Sequence, residues 1–367
     1  MRDIAMRALD TAKQQGAGYA DVRIVRFKSE NVTVRNKNVE SLTADESLGF
    51  GVRVIVDGYW GFAASHKMTL ADADDVAVRA IRVARASALV RGPRADIGPP
   101  QSVSGTYRTP VQKDAFAVSL EDKIALLLKV NETMAGVPNI ISAEGNVYCQ
   151  REDKIFASTE DAYIEQELYE TGCGIEVTAV DEGEVQNRSY PNSVGRHQGT
   201  EGWEFVERYD LAGNALRVAE EASALLRAKS MEPGTTTVIL DGSQVALQIH
   251  ESCGHPIELD RVLGTEAAFA GMSFLTTDKL DSGFMYGSQH VNMTADATIV
   301  GGLGTFGFDD EGVPAQSTPI VRAGEFCGYL TSRETAAALG LSVTAVGTHV
   351  SRAMDRLRRA LEANEVA

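Results

Sequence analysis

Leu247-Gln248-Ile249-His250-Glu251-Ser252-Cys253-Gly254-His255-Pro256-Ile257-Glu258 places two imidazoles in one short run, with a carboxylate directly after the first. Neutral His nitrogens bind a borderline-soft cation such as zinc, and an adjacent Glu can take the proton of an attacking water, so the pattern points to metal-assisted hydrolysis. The spacing carries more information than the composition. In the common zinc-protease helix the two His are four apart and lie about 40° from each other around the axis. Here they are five apart, which on a regular α-helix leaves them roughly 140° apart and unable to share an ion. The helix is therefore expected to loosen into a π-type turn, or to end, between His250 and His255, where Gly254 and Pro256 flank the second His.

Working outward, the run Thr236 to Leu240 reads as a buried β-strand, Asp241-Gly242-Ser243 as a turn and N-cap, and Val245, Ala246 and Ile249 as the apolar side of a helix that delivers His250. Upstream, Ile4, Ala5, Ala8, Leu9 and Ala12 recur at helical spacing until Gly16 and Gly18. Val22 and Ile24, Val32 and Val34, then Phe50, Val52, Val54 and Val56 alternate at period two, with Asp57-Gly58 as a hairpin turn. A second helix runs from about Leu70 to Leu89, its Arg79, Arg82 and Arg85 forming a solvated face. Residues 91–111 are rich in Pro and Gly and read as a surface linker. Ser119 starts a third helix, strands resume from about Ile140 to Val185, and one long helix is expected from Trp203 to Ala228. Downstream of the metal segment, Gly301-Gly302-Leu303-Gly304 reads as tight turns rather than a phosphate cradle, since it lacks a Lys-Ser/Thr ending. A strand is expected to start after Pro319, turn at Ala323-Gly324, and return from Phe326 to Leu330.

The chain has 367 residues, 44% of them hydrophobic, enough for a substantial core and two domains. Its 51 acidic against 35 basic residues leave a net charge of −16, which disfavours binding to nucleic-acid phosphates. No apolar run approaches the ~18 to 20 residues of a bilayer span and the N-terminus has no signal-peptide core, so the expected location is the cytoplasm, away from membranes. Cys149, Cys173, Cys253 and Cys327 form no CxxC pair and are expected as reduced thiols. Cys253, between the two His, is expected to pack rather than to bind metal.

The run from His250 to Asp260, followed by Gly264-Thr265 and Phe269-Ala270-Gly271, resembles the metal-binding segment of the TldD/PmbA metalloprotease family, on its TldD side. The resemblance takes in Asp21-Val22-Arg23, Gly49 to Val54 and Gly61-Phe62-Ala63, and reaches Thr331 to Ala337, ending near residue 341. It implies a zinc-dependent peptidase acting on short or unfolded peptides, with His250 and His255 as metal ligands, Glu251 as the catalytic base, and a TldE/PmbA-type partner subunit or a homodimer. It also implies a third metal ligand, a cysteine in a further C-terminal segment that completes a barrel-like domain. That pattern is absent after residue 341, which suggests a truncated or frame-disrupted copy. Cys327 stands in an unlike context, Phe326-Cys327-Gly328-Tyr329, and His349 and Glu258 are other candidates, Glu258 because it lies three residues past His255.

The expected architecture is an α+β fold. Residues 1–232 form an N-terminal domain of helices packed on antiparallel sheets, residues 233–341 the metal-site helix and an incomplete β-rich, barrel-like domain, and residues 342–367 a divergent helical tail. The alternatives to a TldD-type metallopeptidase are a catalytically impaired subunit acting as a binding or regulatory partner, and a metal hydrolase acting on a non-peptide bond.

Overall fold

The computed structural model describes residues 1–341 other than Arg91 and Val194; His349 and the expected helical tail lie outside the described residues. Period-two alternation builds one long, twisted sheet. After helix α1 (Arg2–Gln14), strands β1 (Tyr19–Arg35), β2 (Asn38–Val56) and β3 (Tyr59–Ser65) form a meander. Both its turns use left-handed residues, Asn36-Lys37 at φ 48° and 65° and Asp57-Gly58 at 52° and 84°, as two-residue hairpins require. Helix α2 (Leu70–Ser87) follows, capped by Thr69. It lies so close to β3 that a Cβ on Gly61 would stand 2.1 Å from the Ala80 carbonyl, so only glycine fits there.

The expected linker contains a strand, β4 (Ser104–Arg108). Its composition reads as loop, but these five residues supply a parallel partner to the edge of a later strand whose backbone groups would otherwise lack one. Next come α3 (Leu120–Ala135), capped by Ser119, then β5 (Ile140–Ser158), β6 (Tyr163–Asp181), β7 (Glu184–Tyr190) and β8 (His197–Gly199). The sheet runs β3-β2-β1-β5-β6-β4, with β7 and β8 also on β6, and every pairing except β4 with β6 is antiparallel. The single long helix expected from Trp203 to Ala228 is two helices, α4 (Glu204–Tyr209) and α5 (Leu211–Leu225). Asp210 breaks them with φ 40°, and its carboxylate caps the second by accepting from Gly213 N at 3.0 Å.

The two faces of the sheet do different work. Ala20, Val22, Ile24, Val32 and Val34 share one face of β1. At one end it packs with α1 and α2 and at the other with α3, α4 and α5. The opposite face carries Asp21, Arg23, Arg53, Lys154 and Gln166, and it receives residues 307–311. Arg53 joins buried Asp21 at 2.7 Å and Glu311 at 3.6 Å. Asp310 meets Lys154 at 2.7 Å and Arg23 at 3.5 Å. Gln166 donates to the Phe308 carbonyl and accepts from Gly307 N and Phe308 N, while Phe308 packs on Phe156 and Ile164. Farther along, buried Arg333 reaches Glu160 at 2.9 Å, and Trp60 Nε1 donates to Glu334.

The C-terminal part contains α6 (Gly242–Ile249), α7 (Leu259–Val262), α8 (Ala267–Ala270), β9 (Met293–Asp296), β10 (Ser317–Arg322), β11 (Glu325–Phe326) and α9 (Arg333–Leu339). The strands make a three-stranded sheet in the order β11-β10-β9, and no closed barrel forms among the described residues. Thus the α+β class holds, with local departures. Residues 236–240 form no strand: Val238 and Ile239 are 72% and 96% exposed, and among the described residues no strand lies beside them to pair their backbone groups. Helix α6 buries none of its side chains, although Asp241 caps it through Ser243 N as expected. Strand β10 starts two residues before Pro319 rather than after it; a register shift between Pro319 and Val321 accommodates the missing N–H. Its partner β11 stops at Phe326 rather than running to Leu330. The glycine run makes successive turns, Gly302 N to Ile299 O and Thr305 N to Gly302 O. Among the described residues no helix is long and apolar enough to cross a membrane.

Two outcomes follow from the charged face. Arg53→Ala leaves the Asp21 carboxylate buried without its cation, so urea denaturation should show a loss of about 3 kcal/mol. Burial pushes the Asp310 carboxyl up, but the hydrogen bond and charge of Lys154, with Arg23 and Arg53 behind it, outweigh this and hold it below the ordinary aspartate value. A depressed pKa stabilises the fold above the unfolded value of about 3.9 and loses that contribution as pH falls through the folded value. The stability gap between the natural chain and Asp310→Asn should therefore shrink below about pH 4, measured by urea titration at a series of pH values.

Candidate metal centre

Helix α6 does not continue as an α-helix into the histidine segment. Residues His250–Gly254 form a π-turn, closed by the His255 N–H donating to the His250 carbonyl five residues back, and His255–Ile257 then tighten into a 3₁₀ turn ahead of α7. Widening the turn by one residue moves His255 into the place that a residue four along holds in a regular helix. The two rings accordingly meet, with centroids 4.4 Å apart and planes at 68°. One ligand atom each from His250, Glu251 and His255 all lie within 4.8 Å of one another. Two imidazoles and a carboxylate make a donor set suited to zinc. The side chains of His250 and Glu251 are exposed and that of His255 is partly so, leaving the cluster open to solvent and to a ligand from outside.

The loosened turn has neighbours that hold it. A π-turn disturbs the regular carbonyl ladder, and Tyr286 Oη donates to the Ser252 carbonyl at 2.9 Å. Cys253 is buried in the core cluster that includes Ile257, Leu259, Phe326 and Tyr329, and burial pushes its thiol above the ordinary value, offset in part by a hydrogen bond with the Tyr286 hydroxyl. His255 Nδ1 lies 3.0 Å from Glu258 Oε1, and Glu258 Oε2 accepts from Arg261 at 3.1 Å. The segment after His255 is pinned by Leu330, whose N–H donates to the Ile257 carbonyl and whose carbonyl accepts from Leu259 N.

His250, Glu251 and His255 thus come together. Of the other candidate ligands, the two within the described residues do not join them: both carboxylate oxygens of Glu258 are engaged by His255 and Arg261, and Cys327 donates its thiol to the Pro319 carbonyl. Among the described residues no second such group of three side chains forms. Sequence reasoning missed Arg261 and Tyr286. Arg261 stands three residues past Glu258, a spacing that could have drawn attention; Tyr286 is 34 residues from Ser252 and has no local signal.

Profiles of one family match three stretches of the chain: PmbA/TldA metallopeptidase domain 1 over residues 20–88, the central domain over 113–229, and the C-terminal domain over 233–358. The chain belongs to the PmbA/TldA metallopeptidase family. The last match runs to residue 358, past residue 341, the expected end of the family pattern. A metalloprotease of Methanocaldococcus jannaschii is 28% identical over 332 residues, 90% of this chain and 69% of that protein. A zinc metalloprotease TldD homolog of Saccharolobus solfataricus is 25% identical over 331 residues, 90% of this chain and 68% of its own length. The fold resembles a Bacteroides thetaiotaomicron protein named for modulation of DNA gyrase, with TM-score 0.72 and 17% identity, covering 95% of this chain and 75% of that one. TldE of Thermococcus kodakarensis follows, with TM-score 0.65 and 13% identity, covering 94% and 75%.

The hydroxyl of Tyr286 gives a direct check on the π-turn. Tyr286→Phe should lower stability by about 1 kcal/mol, the worth of one hydrogen bond, in urea denaturation. A loss near zero would mean the Ser252 carbonyl is served equally well by water.

Proposed function

We propose that this chain is a zinc-dependent metallopeptidase of TldD type that cleaves short or unfolded peptides in the cytoplasm, with His250 and His255 as metal ligands and Glu251 as the general base. The observation that carries the proposal is the π-turn, which brings two imidazoles five residues apart onto one small volume beside a carboxylate. The name of the Saccharolobus relative supports the choice of zinc. Zinc, when bound, supplies a Lewis acid that polarises the scissile carbonyl.

The chain's own residues then divide the remaining work. His250 and His255 present neutral nitrogens as ligands. Glu251, exposed beside them, accepts a proton from the attacking water and returns it to the leaving amine. The third protein ligand is unassigned. Glu251 itself lies within ligand distance of the imidazoles, which supports a second arrangement in which it completes the metal site and another group serves as base. The likeness to TldE supports a TldE/PmbA-type partner subunit, with a homodimer as the other assembly.

Metal analysis of the purified chain tests the reading. We expect near-stoichiometric zinc, lost in His250→Ala and in His255→Ala. Glu251→Gln should keep the zinc and lower peptide cleavage by about 10²- to 10⁴-fold, the contribution of a general base. If Glu251→Gln loses the zinc instead, Glu251 is a ligand and its role as base fails. A folded chain with no zinc and no cleavage of a peptide library would leave the binding or regulatory subunit as the reading to adopt.

A further inference from the structure

Glu258 is the side chain the sequence leaves between two roles, third ligand or bystander, and its contacts fit neither. We propose that Glu258, clamped by Arg261, is a positioning residue that holds the His255 ring in one tautomer and one orientation, with Nδ1–H turned to the carboxylate and the Nε2 lone pair left for the metal. The inference rests on the metal-site reading above.

The hydrogen bonds decide the tautomer. Nδ1 of His255 stands 3.0 Å from Glu258 Oε1 and 3.4 Å from Arg261 Nη2. A carboxylate oxygen can only accept and a guanidinium can only donate, so the two neighbours make opposite demands on the nitrogen. Were Nδ1 bare, Oε1 would face a lone pair at hydrogen-bond distance with no proton between them. With Nδ1 protonated, Oε1 accepts a charge-assisted bond, and the guanidinium keeps its good contacts to Glu258 Oε2, both 3.1 Å from Nε and Nη2. The shorter contact wins. Nε2 is then the only ring nitrogen free to bind a cation, as in carboxylate–histidine–metal arrangements generally.

The clamp is itself held from several sides. Arg261 is mostly buried and reaches a further carboxylate, Glu266, at 3.8 Å. The backbone at Glu258 pairs with Leu330, and the two Leu330 hydrogen bonds fix the residues on either side of it. Both oxygens of Glu258 are thereby committed away from the cluster of His250, Glu251 and His255. Turning it into a ligand would break both bonds and leave the Arg261 guanidinium short of its nearest carboxylate.

The test uses the full chain and two readouts. In zinc titrations against a chromophoric chelator, Glu258→Ala should bind about 10- to 100-fold more weakly than the natural chain, the usual range for an outer-shell partner. Glu258→Gln, which keeps a carbonyl oxygen to accept from Nδ1, should restore affinity to within about threefold. In ¹⁵N-histidine NMR of the metal-free chain, His255 should be the Nδ1–H tautomer in the natural chain and in Glu258→Gln, and a mixture of tautomers in Glu258→Ala. The proposal is overturned if Glu258→Ala binds zinc as tightly as the natural chain, if its His255 tautomer is unchanged, or if Glu258→Gln and Glu258→Ala lose zinc equally, which would make Glu258 a ligand. A natural chain that binds no zinc would sink the peptidase reading instead, while the tautomer measurement would still judge the clamp.

Discussion

One backbone hydrogen bond, from the His255 amide to the His250 carbonyl, is the constraint on which the candidate centre depends. An i→i+4 bond at that point would swing the second imidazole to the far side of the helix. The i→i+5 bond makes room for the extra residue and leaves a widened turn whose carbonyls need other partners. Tyr286 meets one such need, Cys253 fills the core side of the turn, and Pro256 starts the tighter coil that follows. Local irregularity of this kind is tolerable because the surroundings over-determine it.

The sheet solves a different problem, that of attaching the metal-bearing part to the rest. Its apolar face is sealed by two groups of helices, whereas its other face presents cations to Asp310 and Glu311 and an amide to Gly307 and Phe308 just before them. Exposed ion pairs are worth little one by one. Here Asp21 and Arg333 are buried, Arg53 is shared between two carboxylates, and Phe308 packs against the cluster of Phe156 and Ile164, so charge and packing act at the same place. The position of the C-terminal part is therefore specified by directional bonds rather than by oily contact alone.

Much of this was legible in the residues. Alternation at period two located residues of β1 and the second half of β2, the Asp57-Gly58 pair located the hairpin that follows, and the mismatch between a five-residue spacing and a helical turn pointed to a π-turn or a helix end between the two His. What local pattern could not show was whether a segment finds a partner. Residues 236–240 have the composition of a buried strand yet lie exposed, and residues 104–108 have that of a linker yet pair with β6. The break at Asp210 was hidden because the apolar periodicity continues through it, and only the left-handed backbone reveals it. Glu258 was visible as a group near the site; its job was not, since that depends on Arg261 and on the reach of both carboxylate oxygens.

The histidine segment is anchored unevenly. Before His250 the chain from 229 to 249 buries almost nothing, whereas from Cys253 onward it is embedded in a core that includes Leu259, Phe326 and Tyr329. Resistance to local opening should follow the same gradient, low in α6 and close to global in the turns after Gly254. On that gradient one imidazole stands beside the core and the other at the end of a lightly held arm. Any cation that bridged them would spend part of its binding free energy ordering that arm, and amide exchange in α6 would slow in step with occupancy.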